Sequence, residues 1–277
     1  MIQVEGIFTG GGVTSAPIMG RDFTWTGGDN TCMVLDDGDG NWRIKFLSSG
    51  IFTPLKNMVI DVFLVGGGAP GGNGYKSGST YRGAGGGGSG YTTTARSVVL
   101  AANTAYQITV GAGGAVNTAS GGDTTAFGAT ASGGKAPNAA DYRYGGNGAS
   151  GGGMGNSGGK GSAGGSDGSD GAGNASYAGK GQGTTTREFG ETDGDLYAGG
   201  GAGGGGGSAG ADAATVIAGG AGGGGDSASN TRDATPGEDG KGGGGGGGSS
   251  TSSATRTGAS GGSGIAIIRN HREEAAA

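Results

Sequence analysis

Apolar residues near the start of the chain follow the two-residue period of β strands. Trp42, Ile44 and Phe46 fall on one face of a segment that follows the turn sequence "DDGDGN", a pattern typical of a β-hairpin. The apolar stretch at 50–65 predicts two further strands, and its last seven residues are apolar enough to be buried on both faces. The pattern therefore predicts ordinary β structure over residues 1–60.

Beyond residue 60 the pattern changes to long glycine runs that are interrupted by short islands of strand character. The main islands lie at 91–114, 183–200 and 264–270. The last of these, "GIAIIRN", is a β-branched run that needs burial, which a disordered tail would not supply. We therefore expect the first and last strands to share one sheet, with the glycine runs as insertions within the domain.

The glycine content rules out an ordinary side-chain core for most of the chain. Of 277 residues 79 are glycine, and only 32% are hydrophobic. Some glycines recur every third residue, as at Gly155, Gly158, Gly161 and Gly164, which is the period of the polyproline-II conformation. Such helices can hydrogen-bond side by side when no Cβ separates them. The expected fold is mainly β with polyglycine-II: β-sandwich-like strands that enclose or flank a packed lattice of polyglycine-II helices. The alternative is a flexible glycine linker.

These patterns divide the chain into three parts, and its charge and cysteine content limit its partners. We expect an N-terminal β segment at 1–60, a glycine-rich domain with interspersed strands at 61–270, and a polar tail at 271–277. The net charge is −5 and no Lys/Arg run occurs, which argues against nucleic acid as a partner. Neither a secretory signal nor an apolar stretch of about 20 residues is visible, so we expect no membrane insertion. Cys32 is the only cysteine, which excludes an internal disulfide and a cysteine-based zinc site.

The sequence "VFLVGGGAPGG" at 62–72 resembles a dinucleotide-binding loop, because Gly66, Gly68 and Gly71 fit the G-x-G-x-x-G pattern. That loop requires a helix directly after the glycines, and the sequence that follows here cannot hold one. The aspartates of "DDGDGN" begin like a calcium loop, but Trp42 stands where glycine is required. We therefore expect neither a cofactor nor a metal ion.

Residues of catalytic type are present but isolated. His271 is the only histidine and lies in the polar tail, and Cys32 has no partner. Glu188 and Glu191 are three residues apart on a hairpin that we expect to face water. No catalytic residue is predicted, and the protein is not expected to be an enzyme.

Tyrosine and arginine concentrate in the breaks between glycine runs, where the loops that join glycine helices would lie. Tyrosine offers a large contact area at low entropic cost, so these positions are predicted to bind a receptor. The residues are Tyr75, Tyr81, Arg82, Tyr142, Arg143, Tyr144 and Tyr177. The alternative is that the tyrosines only cap the ends of the glycine array against water.

Several motifs together resemble the glycine-rich tail proteins of bacteriophages and prophages. They are "DVFLVGGGAPGG", "ITVGAGG", "GKGQGTTTREFGE", "LYAGGGAGGGGG" and "GGSGIAIIRN", and their order along the chain carries the resemblance. The resemblance implies a polyglycine-II sandwich like that of the tail-fibre adhesins of T-even-like phages, which bind host receptors through loops at the end of the lattice. The first 60 residues depart from those adhesins, because their pattern predicts β strands in place of a segment that docks to the fibre.

The resemblance implies a phage tail fibre or tip protein, made in the bacterial cytoplasm and located in the virion. Its implied partners are other phage tail proteins and a bacterial surface receptor, either a protein or a glycan, and a homo-oligomer is compatible with it. One alternative is a purely structural virion component, such as a tail or capsid decoration or spacer, with no receptor binding. A glycan-degrading tail enzyme is disfavoured. It would need two carboxylates roughly 5–9.5 Å apart across a cleft, and the sequence shows no convincing pair.

Overall fold

A computed structural model describes residues 16–118, 120–138, 143–207 and 214–272. The predicted β character is confirmed: within those ranges the regular secondary structure is strands, apart from a 3-10 turn at Glu188–Gly190. The strands are β1 (Phe23–Trp25), β2 (Cys32–Gly38), β3 (Asn41–Phe46), β4 (Gly50–Pro54), β5 (Met58–Val65), β6 (Tyr75–Ser77), β7 (Thr80–Arg82), β8 (Thr92–Leu100), β9 (Tyr106–Ile108), β10 (Thr124–Ala126), β11 (Ala129–Ala131), β12 (Gly206–Gly207), β13 (Ser250–Thr251) and β14 (Ile265–Asn270).

The largest sheet has five antiparallel strands in the order β2-β3-β14-β5-β8. The C-terminal strand β14 lies in its centre, with Ile268 opposite Ile44 of β3 on one side and Val62 of β5 on the other. The expectation that the first and last strands share one sheet is wrong for β1, which lies in another sheet, but β2, β3 and β5 do share the sheet of β14. Because β5 runs through residue 60, the N-terminal β segment and the glycine-rich region have a strand in common.

A second sheet, β1-β4-β9, packs with the β10–β11 hairpin against one face of the first. The predicted inward face of β3 is confirmed, since Trp42, Ile44 and Phe46 are at most 1% exposed. Phe52 of β4 is also fully buried, and its ring centre lies 5.6 Å from that of Phe46. The two sheets therefore enclose a conventional hydrophobic core at one end of the molecule.

The opposite face of the five-stranded sheet is covered by residues from the glycine-rich region. Phe63 of β5 and Ile267 of β14 are buried there against Phe189 and Tyr197, with ring centres 5.8 Å and 5.5 Å from that of Phe63. Both faces of β5 are thus buried, as its continuous apolar sequence predicts.

Three strands of this sheet are continued directly by glycine-rich segments. Residues 66–74 follow β5, 83–90 lead to β8, and 256–264 lead to β14. The hydrogen bonds of the first segment advance by three residues along both of its neighbours. Gly68, Gly71 and Gly74 donate their N–H groups to the carbonyl oxygens of Gly262, Ala259 and Arg256. Gly66, Ala69 and Gly72 donate to those of Tyr91, Gly88 and Gly85.

Segment 83–90 is buried along its whole length and bonds in the same way to 150–156 and 242–248. Gly83, Gly86 and Ser89 donate to the carbonyl oxygens of Asn156, Gly153 and Ser150. Ala84, Gly87 and Gly90 donate to those of Gly248, Gly245 and Gly242. Peptide groups, rather than side chains, therefore connect the middle of this region.

Glycine is required here because the segments approach backbone to backbone. A Cβ placed on Gly66, Gly68 or Gly71 would overlap a carbonyl oxygen of another segment, closer than real Cβ atoms come to any neighbour. These are the three glycines of the motif that resembles a dinucleotide loop. The chain continues from them into the β6–β7 hairpin, so close packing of backbones accounts for the motif.

Candidate functional site

The loops at the far end of the glycine-rich segments contain the predicted binding residues. The sheet holds one end of segments 66–74, 83–90 and 256–264, so the other ends lie together away from it. We refer to the described loops at that end as the loop end. It consists of residues 75–82, 115–118, 143–144, 156–160, 173–178, 229–233 and 249–256.

The β6–β7 hairpin of the loop end places a tyrosine opposite a cation on each of its two faces. Tyr75 pairs with Arg82 across the hairpin, and Lys76 pairs with Tyr81. Directly opposite residues share a face and successive residues alternate, so the two pairs face in opposite directions. The Arg82 guanidinium carbon lies 6.0 Å from the Tyr75 ring centre, and Lys76 Nζ lies 5.4 Å from that of Tyr81. These separations suit cation–π attraction.

A second cluster joins Arg143, Tyr144 and Tyr177. The Arg143 guanidinium carbon lies 4.4 Å from the Tyr177 ring centre, and its Nη2 donates a hydrogen bond of 3.2 Å to the Tyr177 hydroxyl. The Tyr144 ring centre is 4.9 Å from that of Tyr177. The structure therefore brings together residues that are more than 30 positions apart in sequence. Tyr142, also predicted to bind, lies outside the described residues.

Backbone hydrogen bonds connect the two clusters. Gly83, which follows the hairpin, donates to the carbonyl oxygen of Asn156 over 2.8 Å, and Gly155 donates to that of Arg143 over 2.9 Å. Lys76 Nζ also donates to the carbonyl oxygen of Ser252 in a neighbouring loop. The predicted residues at 75, 81, 82, 143, 144 and 177 are thus all held at the same end of the molecule.

The rings of these tyrosines are half-buried, while the hairpin tip at 77–80 is exposed. A half-buried tyrosine can present an apolar face and a hydroxyl group to a ligand, and tyrosine and arginine are enriched in protein interfaces. The arrangement can therefore stack on a flat ligand and donate hydrogen bonds to it. The same half-buried rings also cover the ends of the glycine segments, which is the capping role that was given as the alternative.

The expectation that Glu188 faces water is wrong. Its carboxylate is 1% exposed and lies 2.7 Å from Arg43 Nη1 and 3.2 Å from Lys45 Nζ. It also accepts a hydrogen bond of 3.0 Å from Tyr197, and burial together with this carboxylate raises the pKa of that phenol. The reason is that β3 presents arginine and lysine on the face opposite its core residues, and segment 184–198 packs over them. Glu191 remains 41% exposed and pairs with Arg269.

Sequence reasoning also missed a polar cluster around Asp61, a fully buried residue of β5. His271, expected in a polar tail, places Nδ1 2.7 Å from an Asp61 oxygen, and Arg269 Nε lies 3.1 Å from the other. Burial alone would raise the pKa of Asp61, but hydrogen bonds from His271, the Ser97 N–H and Arg269 outweigh it and lower that pKa. Asp61 and Ser97 lie far in sequence from Arg269 and His271, so no local pattern could reveal these contacts.

The types of residue in this cluster are those of a hydrolase triad, but their geometry differs. The Ser97 hydroxyl lies 3.1 Å from His271 Nε2 and 3.4 Å from Nδ1, whereas a triad serine bonds to Nε2 alone. The Asp61 carboxylate moreover contacts Arg269 through one oxygen and the imidazole through the other. The contacts therefore fix the end of β14 against β5 and β8.

The described part of the chain shows no group of three or more His, Cys, Asp and Glu side chains placed to share a metal ion. None of its described segments is a helix with the length and apolar character needed to cross a membrane. Cys32 lies in β2, where burial raises the pKa of its thiol to about 11.

A known domain family covers most of this fold, from β4 to β14. A sequence profile described as a glycine-rich domain matches residues 47–271, which is most of the chain. The chain belongs to this glycine-rich domain family. No curated protein sequence matches it significantly. The glycine-rich domain as matched includes β4 to β14, so it contains both the glycine segments and most of the strands that hold their ends.

Proposed function

We propose that this protein is a bacteriophage tail protein of the fibre or tip, which binds the host cell surface through its loop end. The order of the glycine motifs along the chain supports the phage assignment through the resemblance given above. The observation that carries the binding role is the assembly of two tyrosine–cation clusters, from three separate stretches of sequence, at the end remote from the five-stranded sheet.

In this proposal the glycine segments form a polyglycine-II lattice that holds the loops in place. Hydrogen bonds that advance by three residues support this, because three residues make one turn of that helix. Burial of segments 83–90 and 242–248 on all sides also supports it, since every residue there contacts other backbones. A rigid lattice reduces the entropy that the loops lose on binding.

The test is binding of the fluorescently labelled protein to whole cells of a panel of bacterial strains. We expect the double substitution Tyr144→Ala/Tyr177→Ala to lower cell binding about tenfold, since a central aromatic contact is worth about 1.4 kcal/mol or more. Thr94→Ala, at an exposed site on the sheet, is the matched control and should bind as the unaltered protein does. Thermal unfolding of each variant separates lost contacts from lost folding.

The second candidate is a structural virion component that binds no receptor. The pairing of three half-buried rings, those of Tyr75, Tyr81 and Tyr177, with cations of the same molecule favours it, because capping of the glycine segments needs no external ligand. Unchanged cell binding by the folded double variant would support this candidate and remove the two tyrosines from the binding site.

A further inference from the structure

The loop end carries positive charge in a protein that is acidic as a whole. Its cationic side chains are Lys76, Arg82, Arg143, Lys160, Arg232 and Arg256, and its described carboxylate is Asp233. Asp226 lies beside Arg232, and Asp141 and Asp212 belong to adjoining segments outside the described residues. Cations outnumber carboxylates even when all of these are included, although the net charge of the chain is −5.

The hairpin supplies the cations that internal ion pairs leave available. Arg256 pairs with Asp233 at 2.9 Å and Arg232 with Asp226 at 3.3 Å. Among the described residues, neither Lys76 nor Arg82 forms a salt bridge with a carboxylate, although Lys76 Nζ donates a hydrogen bond of 2.8 Å to the carbonyl oxygen of Ser252. Both instead lie beside a tyrosine ring, and residues 75–82 contain no acidic residue.

We propose that the β6–β7 hairpin binds an anionic saccharide, one whose sugar units carry carboxylates, on the bacterial surface. This inference rests on the proposed function and names the class of its receptor. A tyrosine ring offers a flat apolar face for a sugar ring to lie on, and the adjacent cation pairs with the carboxylate of the same or the next sugar. Each of the two pairs, Tyr75 with Arg82 and Tyr81 with Lys76, offers such a combination of ring and cation.

Charge and geometry favour a saccharide over a nucleic acid. Binding to a nucleic acid draws most of its affinity from many phosphate contacts, and an acidic protein with two available cations on this hairpin offers few. A sugar needs fewer charges, because stacking on the ring contributes independently of charge. The exposed Ser77–Thr80 tip adds hydroxyl groups that can bond to sugar hydroxyls.

The experiment measures binding of the full chain to four probes by calorimetry at physiological salt. The probes are an alginate oligosaccharide, an oligomer of sialic acid, a neutral dextran oligosaccharide of equal length, and a single-stranded oligonucleotide. We expect alginate or the sialic acid oligomer to bind at least tenfold more tightly than dextran and the oligonucleotide. Equal binding to dextran, or tighter binding to the oligonucleotide, would overturn the proposal.

Three double variants separate recognition of sugars from simple ion exchange. Lys76→Gln/Arg82→Gln removes the charges, and Tyr75→Phe/Tyr81→Phe is a conservative change that keeps the rings and should retain most of the affinity. Tyr75→Ala/Tyr81→Ala removes the rings but keeps both charges, and we expect it to lose about tenfold, like the charge variant. A folded ring-deletion variant that binds the anionic probes as tightly as the unaltered protein contradicts the proposal.

The same variants are then applied to whole cells. If cells bind the unaltered protein while neither anionic oligosaccharide does, the saccharide assignment is wrong and the attachment role stands. If the protein binds no strain of the panel but does bind the oligosaccharides, the saccharide site is supported and the attachment role is not.

Discussion

Individual glycines of the glycine-rich region differ in the space around them. A Cβ on Gly87 would overlap the carbonyl oxygen of Ala69, whereas a Cβ on Gly158, in an exposed loop, meets nothing within 4 Å. The first position has rigid backbone as its neighbour, which cannot move aside as a flexible side chain can. The two residues therefore allow the same substitution to be compared in a closed and an open setting.

We expect Gly87→Ala to lower the free energy of unfolding by about 3 kcal/mol, the upper range for an overpacked interior. Gly158→Ala should leave it unchanged or raise it by up to about 1 kcal/mol, because alanine restricts the unfolded chain more than glycine does. Urea denaturation of both variants provides the measurement. Equal stability of the two would mean that the segments around Gly87 do not pack as closely as the structure indicates.

The buried carboxylate of Asp61 makes stability depend on pH. Its pKa is lowered in the folded state, so the folded protein binds fewer protons than the unfolded chain, whose aspartates titrate near about 3.9. The stabilising contribution is present above that unfolded pKa and is lost as the pH falls through the lower folded pKa.

We therefore expect the free energy of unfolding to decrease as the pH is lowered from 5 to 2, and to decrease less steeply in Asp61→Asn. The control is Asp29→Asn, at an exposed position, which should keep the slope of the unaltered protein. Denaturant unfolding at each pH gives the slopes. A slope in Asp61→Asn as steep as that of the control would assign the acid sensitivity to other carboxylates.

At the scale of elements, segment 184–198 covers the face of the five-stranded sheet that the second sheet leaves open. It is attached by Glu188, whose carboxylate is almost fully buried between Arg43 and Lys45. Asp195 of the same segment also pairs with Lys45, at 3.2 Å, but is 57% exposed. We expect the buried ion pairs of Glu188 to contribute more to stability than the exposed pair of Asp195.

We expect Glu188→Gln to cost about 2–3 kcal/mol of unfolding free energy, somewhat less than the loss of a fully buried pair, because Arg43 is partly exposed. Asp195→Asn should cost less than about 1 kcal/mol. Chemical denaturation of both variants tests this. If the exposed pair proved as costly as the buried one, the segment would be attached by a different contact.

The sequence predicted the elements better than their contacts. Strands β3 and β14 follow from local apolar periodicity, and the place of β14 in the main sheet followed from its need for burial. The environment of Glu188 could not be inferred, because the cations that surround it belong to β3, about 145 residues earlier. The same holds for Asp61 and His271, which are 210 residues apart. Of the candidate site, the loop positions were predictable, but the pairing of Arg143 with Tyr177 was not.

For the whole molecule, the backbone network should give slow amide exchange in regions that have no side chains to shield them. We expect the amides of 83–90 and 242–248 to exchange about a thousandfold or more slowly than in a free peptide, which corresponds to an opening free energy of about 4 kcal/mol. The hairpin tip at 77–80 should exchange quickly and serves as the internal reference. Hydrogen–deuterium exchange with mass spectrometry reports both. Exchange of the glycine segments at the rate of the tip would contradict the packing described here.

Close lateral packing of these segments requires only that no Cβ atom stands where two backbones meet, and it does not specify which side chains stand at the far turns. A hairpin such as β6–β7 can therefore be lengthened, shortened or replaced without a matching change in the interior, since no complementary side chain there has to be refitted. The interior, in contrast, accepts almost no substitution. Variation in this protein should accordingly concentrate in the turns, so that new binding preferences can arise on an unchanged body.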